Sequence, residues 1–290
     1  MQSLVRGWAA RKRFLPQLRV HTFYSHVLPG AMKLGKAEAA HIRASSGSSK
    51  ADGYGEMTSD SARMVLDALQ LQAGDVLCDL GSGSGRFALQ AAVAHPQAHC
   101  IGVELAPSRH AVACGAAARA ALPNLALVHG DLIDATHCAD ATLIYVSPIL
   151  FHADFLAQIG AMLDQLPKLR VIASLGRRFP PSALATFDER PQHMEVDVTW
   201  RDAPVPVCFY DKVVGADADA PPTAEAATAE AAAWAARVAR AHAEQGETPT
   251  AQQLQLKRAI FALDFNRYGA VYDGPLLRAR APPTTRVVRS

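Results

Sequence analysis

Residues 76–86, VLCDLGSGSGR, constrain the fold of this chain more than any other stretch. A short apolar run reaches Asp79, and Gly81, Gly83 and Gly85 then alternate ahead of a helix-forming run, FALQAAVA. A buried strand, a tight glycine turn and a helix start form the unit with which a parallel α/β sheet brings its backbone against a nucleotide. Glycine suits the turn because a Cβ would disfavour positive φ and block close approach of a ligand. The spacing G-x-G-x-G, rather than G-x-G-x-x-G, points away from a nicotinamide dinucleotide.

The segments that follow fit the same plan. HCIGVEL (99–105) reads as a second strand reaching Glu104, nineteen residues after Gly85. An acid about 20 positions on, at the end of a second strand, is where a ribose diol can donate two hydroxyls to one carboxylate. LALVHGDL (125–132) reads as a third strand running into Gly130-Asp131, where the aspartate can accept from an adenine amino group. The glycine loop is similar to motif I of the class I S-adenosylmethionine methyltransferases. That cofactor has no pyrophosphate and makes less demand on a helix N-terminus. The resemblance implies cofactor contacts from Asp79, Gly81, Ser82, Gly83, Gly85 and Arg86, with Glu104 on the ribose and Asp131-Leu132 beside the adenine.

Further strands are predicted at 76–80, 100–104, 125–129, 141–147 and 169–175, with helices over 86–94, 107–121 and 152–166. Such alternation means a parallel sheet with right-handed crossovers. HMEVDVTW (193–200) and VPVCFYDKVV (205–214) alternate around RDAP and predict a β-hairpin. The fold class is therefore α/β, a Rossmann-like methyltransferase sheet that is mostly parallel and ends in an antiparallel hairpin. Ahead of it, Thr58 to Gln72 predicts a helix with Met64, Val65, Leu66, Ala68 and Leu69 on one face, and the Ser/Gly-rich residues 40–53 predict a flexible linker. Beyond Gly215 the composition turns to alanine, the best helix former. A helix is predicted within 216–245 with Trp234 as its one large anchor, a second over 251–266, and a disordered Pro/Arg tail after 278. The chain thus divides into a basic arm and linker (1–53), a methyltransferase domain (54–215) and an Ala-rich extension with a basic tail (216–290).

The net charge of +2 hides an uneven distribution. Residues 1–50 hold nine Lys or Arg against Glu38 alone, and 275–290 hold four Arg and no acid, so the middle is acidic. Basic ends around an acidic middle suit arms that contact a polyanion such as a nucleic-acid backbone, or solvated termini. The first twenty residues are also Arg-rich, acid-free and amphipathic, as a mitochondrial transit peptide would be. The five cysteines are scattered without a C-x-x-C pair, which argues against a zinc site or a disulfide framework. No run approaches the roughly 18 apolar residues of a membrane span.

Tyr54-Gly55-Glu56 with Thr58, DLGSGSGR, HCIGVE, GDL, a strand ending IYVS, and a hairpin carrying VTW, a proline and VCFY together resemble one branch of the superfamily. It is the non-SET histone lysine methyltransferases of the disruptor-of-telomeric-silencing type. The resemblance spans 54–214 and implies that Tyr54 and Thr58 lie over the methionine end of the cofactor, with Glu56 a further cofactor contact. Two departures bear on the substrate. The family's Asn-Asn-Phe after the fourth strand is Ser147-Pro148-Ile149 here, and the longer hairpin puts the family's second channel tyrosine at Tyr210 or at Cys208. Ser147 and Tyr210 are the lysine-channel positions expected, with Tyr145, Phe151 and Phe209 as further apolar walls. A related group of short lysine methyltransferases, some mitochondrial, has a similar glycine loop and lacks Asn-Asn-Phe.

The expected activity is transfer of methyl from S-adenosylmethionine to a protein lysine, on a core histone in the nucleus. The alternatives are a non-histone lysine, on a mitochondrial or cytoplasmic protein, and a cofactor-binding scaffold without catalysis. Methylation of a nucleic-acid base is disfavoured, since no Asn/Asp-Pro-Pro-aromatic tetrad follows the fourth strand.

Overall fold

A computed structural model describes residues 32–213 together with Trp234 and Ala236. Two central strands, β1 (Val76–Leu80) and β4 (Leu143–Val146), are almost uninterrupted apolar runs, as strands covered on both faces are. They pair in parallel, with Asp79 level with Tyr145. On the other side of β1 lie β2 (His99–Glu104) and then β3 (Leu125–His129), also parallel, and beyond β4 lies parallel β5 (Val171–Leu175). The sheet is then closed by antiparallel strands. β8 (Val205–Lys212) pairs with β5 along one edge and with β6 (Phe187–Glu189) and β7 (Met194–Val196) along the other. The order β3-β2-β1-β4-β5-β8-β6, with β7 also on β8, is a Rossmann-like sheet, mostly parallel and closed by an antiparallel end, as predicted.

Helices connect the parallel strands. α3 (Arg86–Ala94) and α4 (Pro107–Ala120) follow β1 and β2, and α5 (Ala153–Asp164) follows β4. Ile144 and Val146 of β4 share a buried cluster with Leu156, Ile159 and Leu163 of α5. α2 (Ser59–Leu69) precedes the sheet, with Thr58 as its N-cap accepting from the Ser61 amide at 3.2 Å and Val65, Leu66 and Leu69 buried. The predicted helix began and ended slightly too far out: Thr58 is the cap, and Gln70 at φ 53° stops the helix.

The predicted linker over 40–53 is corrected by α1 (Lys36–Ser46), which runs through half of it. Ala39, Ile42 and Ser46 are buried on this helix, and Ile42 clusters with Ala51 and Ala106. Its Glu38 carboxylate accepts from both the amide and the hydroxyl of Ser108 at 2.8 Å, capping α4, whose N-cap Ala106 has no side chain able to do so. The serines and glycine that suggest a linker stand at the helix end, where Gly47 at φ 63° provides the C-cap.

The predicted hairpin forms from β7 and β8, but β6 was missed, being three residues long with only Phe187 buried. Residues 1–31, the helix expected within 216–245 apart from Trp234 and Ala236, the helix expected over 251–266 and the tail lie outside the described residues. Trp234 stacks on His99 at the start of β2, with ring centroids 4.2 Å apart.

Gly85 shows how tightly the helices pack. It has φ +79°, and a Cβ would stand 2.7 Å from the Ala113 Cβ of α4. Gly85→Ala is expected to destabilise the fold by about 1–3 kcal/mol through overpacking, with added strain at positive φ. In urea unfolding, the midpoint should fall while the slope stays unchanged.

Candidate functional site

The carboxyl ends of β1, β2 and β4 open into a cavity of about 330 Å³. Its floor is the glycine loop, where the amides of Gly81 and Ser82 both donate to the Val103 carbonyl, at 2.9 and 2.8 Å. Gly81 and Gly83 have φ of +81° and +57°. A Cβ on Gly81 would find only Leu132 Cδ2 within 4 Å, at 3.8 Å, so this glycine leaves open room for a ligand. Gly83 is constrained differently: a Cβ there would lie 2.9 Å from Tyr54 Cε2. The glycine is required at this point by the aromatic ring laid over the loop.

Glu104 is buried at the tip of β2 and ties the floor together. One carboxylate oxygen accepts from the Gly83 amide and the other from the Ala106 amide, each at 2.7 Å. Each oxygen retains lone-pair capacity for a further donor. Burial raises the Glu104 pKa, while the Ala106 amide, the Arg109 charge and the Gly83 amide oppose the rise. Asp79, only 2 % exposed, accepts from the Ala88 amide in the first turn of α3. Burial, followed by the charges of Glu104 and Glu56, pushes its pKa up to about 8. Asp131 lines the cavity beside Leu132 and accepts from the Ser45 hydroxyl of α1 at 2.8 Å.

Glu56 organises the opposite wall. Its carboxylate accepts from the Tyr54 hydroxyl and, at 2.5 Å, from Ser84 Oγ, and it pairs with Arg86 Nε at 2.8 Å. The segment that carries it is held by main-chain pairing with the hairpin. Met57 bridges Val198, the Thr58 amide donates to Asp197 O at 3.1 Å, and the Thr199 amide to Glu56 O at 2.9 Å. This brings Trp200 over Gly55, against the position a Cβ would take. Trp200 remains 38 % exposed and, with Ile149, Leu150 and Phe151, forms an apolar mouth. Tyr145 and Ser147 lie deeper. Burial, then the charges of Asp79 and Glu56, hold the Tyr145 hydroxyl well above its ordinary pKa, and Ser147 is its hydrogen-bond partner.

Of the residues expected from sequence, Tyr54, Glu56, Asp79, Gly81, Ser82, Gly83, Arg86, Glu104, Asp131, Leu132 and Ser147 line the cavity. Thr58, Gly85 and Tyr210 do not. Thr58 caps α2, Gly85 faces Ala113, and the Tyr210 hydroxyl accepts from the Phe179 amide at 3.0 Å. Both readings of the second channel tyrosine fall on β8, with Tyr210 level with Ile172 and Cys208 level with Ser174, away from the cavity. Of the proposed walls, Tyr145 and Phe151 are in place, while Phe209 lies under the Arg190 guanidinium. Sequence reasoning missed Ile42 and Ser45 of α1, buried Arg109 of α4, and the mouth residues Ile149 and Leu150. Trp200 stood within the quoted VTW motif without being assigned to the site.

The family model described as "Histone methylation protein DOT1" matches residues 37–192. No curated protein matches the chain. Among solved structures, magnesium protoporphyrin IX methyltransferase (ChlM) from Synechocystis PCC 6803 with bound SAH is 12% identical, with a TM-score of 0.46 over 60% of this chain and 99% of that one. An RNA methyltransferase from Salinibacter ruber in complex with S-adenosyl-L-homocysteine is 21% identical, with a TM-score of 0.41 over 57% and 99%. Precorrin-6y C5,15-methyltransferase from Geobacter metallireducens GS-15 is 15% identical, with a TM-score of 0.41 over 53% and 88%.

Asp79 yields a pH-dependent prediction. Its folded pKa of about 8 exceeds the roughly 4 of an unfolded aspartate, so between these values the folded state holds a proton that the unfolded state has lost. Stability contributed at this site therefore falls as pH rises from about 4 to about 8. Asp79→Asn keeps an acceptor for the Ala88 amide and removes the titration. Its thermal midpoint should exceed that of the wild type by a margin that widens up to about pH 8 and then levels off. Each kcal/mol gained would shift the midpoint by about 2–4 °C. A margin independent of pH would show that Asp79 is ionised throughout.

Proposed function

The chain belongs to the DOT1 histone methylation family, whose methyl donor is S-adenosylmethionine, and on that premise we propose that it methylates the side-chain amine of a protein lysine, on a core histone in the nucleus. The observation that carries this reading is one cavity with two unlike ends. Buried carboxylates and an open glycine cradle stand at one end, and an apolar mouth of Trp200, Phe151, Ile149 and Leu150 stands at the other. In this reading residues 54–215 carry the catalysis. Residues 1–53 and the basic tail of 216–290 make phosphate contacts with nucleosomal DNA.

The residues present fit the donor. Gly81 leaves room for the cofactor beside Leu132, and Glu104 keeps acceptor capacity for ribose hydroxyls. Asp131 would accept from the adenine amino group, and the Glu56 carboxylate faces the same end of the cavity, where a cationic sulfonium would lie. When bound, S-adenosylmethionine supplies an electrophilic methyl group on a sulfonium. The protein's task is to bring the amine to it neutral and in line. Neutralising a lysine of ordinary pKa at pH 7 costs about 4–5 kcal/mol. The apolar mouth reduces that cost by desolvating the ammonium. Tyr54, Tyr145 and Phe151 then confine the amine, with the hydrogen-bonded Tyr145 and Ser147 hydroxyls the polar groups at the fourth strand's end.

The Ser147-Pro148-Ile149 sequence favours a second reading, in which the lysine belongs to a non-histone protein. It gives the mouth an aliphatic wall where the family has two amides, and so demands fewer polar partners from the target.

Transfer of radiolabelled methyl to nucleosomes, free histones and a mitochondrial extract, assayed in parallel, tests both readings. Label on a nucleosomal histone is the expected result. Label confined to a mitochondrial protein would select the second reading, and cofactor binding without label on any of the three would leave a scaffold. Glu104→Gln should weaken cofactor binding by about 1–3 kcal/mol through lost charge-assisted hydrogen bonds, as read by calorimetry. Unchanged affinity would remove Glu104 from the site.

A further inference from the structure

Arg109 lies on α4, is 6 % exposed, and lines the cavity without belonging to any motif of the sequence. Its Nη2 donates to the Asp52 carbonyl at 2.6 Å, and its Cζ sits 4.9 Å from the centroid of the Tyr54 ring. Both partners belong to the segment that covers the cleft. The Asp52 carboxylate is in turn paired with Arg43 of α1 at 3.1 Å, and Tyr54 rests on Gly83 and bonds to Glu56. The third partner is the charge of Glu104 on the floor. Arg109 Nε is buried and has no hydrogen-bond partner among the described residues. One guanidinium thus lines the cavity under the charge of Glu104 and holds the cover through Asp52 and Tyr54.

We propose that Arg109 is a positioning residue that couples occupation of the cofactor cleft to closure of residues 43–56 over it. The reason is electrostatic. A buried guanidinium that loses the Asp52 carbonyl and the Tyr54 face becomes an undercompensated charge, so the cover resists opening while Arg109 stays in place. Hydroxyl donors arriving on Glu104 favour its ionised form, and an ionised Glu104 holds the guanidinium where it grips the cover. Closure and ligand binding therefore reinforce each other by the same factor in both directions. The proposal rests on the cofactor reading above and adds Arg109, Asp52 and Arg43, which that reading does not use.

Hydrogen exchange with and without S-adenosylhomocysteine, together with calorimetry of its binding, tests the coupling on the full chain. Arg109→Met keeps an apolar stem of similar length and drops the charge. Arg109→Lys keeps the charge and loses the planar fork. In the wild type, S-adenosylhomocysteine should slow amide exchange across 43–56. In Arg109→Met, affinity should fall about tenfold, and saturating ligand should no longer slow exchange across 43–56. Exchange in β1 and β4 should stay at the wild-type rate, which a merely unfolded variant would not show. Arg109→Lys should recover part of the ligand-induced protection. Equal protection of 43–56 in Arg109→Met at saturation would overturn the proposal alone. A wild-type protein that binds no S-adenosylhomocysteine would overturn the cofactor reading and the proposal with it.

Discussion

Glu104 joins two turns that the sheet by itself would leave apart. One carboxylate oxygen holds the Gly83 amide of the loop after β1, and the other holds the Ala106 amide where α4 begins. A carboxylate buried between two amides is fixed in rotamer and position, and the floor of the cavity takes its shape from it. Arg109 then offsets its charge from the first turn of α4, and Tyr54 lies over Gly83 on the far side of the loop. That one carboxylate thus touches the loop, the helix start and, through Arg109, the cover.

The same concentration of acids works against stability. Asp79, Glu104 and Glu56 interact unfavourably at short range, and burial keeps water from relieving the repulsion. Asp79 responds by holding a proton into the neutral range, a state that a sheet built only for packing would not need. Carboxylates pressed together in this way, with a pKa displaced by burial and by their neighbours' charge, are a feature of functional clefts more often than of packed cores.

Most of the sheet was legible because its strands are short apolar runs closed by glycine, acid or proline, and the helix after the glycine loop was predicted to the residue. The parts missed have physical causes. Helix α1 was missed because its Ala-rich start runs straight into the Ser/Gly stretch that suggests a linker, and its place is fixed by tertiary contacts, with Glu38 capping α4 and Ile42 packing on Ala106. Arg109 sits on a helix face whose neighbours come from residues 52–54 and 104, so no local pattern could expose it. Tyr210 entered through the register of the resemblance along the hairpin, and a register tells which residues pair along a strand. It does not tell how far along the strand the cavity extends, and the Tyr210 hydroxyl is spent on the Phe179 amide. Trp200 was within reach, since it closes the VTW motif that carried the resemblance.

The bridge between Met57 and Val198 has an evolutionary consequence. The two segments that frame the mouth are joined through backbone amides and carbonyls, which every residue except proline can supply. Side chains around the opening can therefore be exchanged without moving the frame, while the floor depends on particular glycines and a particular acid. A lineage built on this scaffold is free to change which protein it modifies long before it can change what it modifies it with.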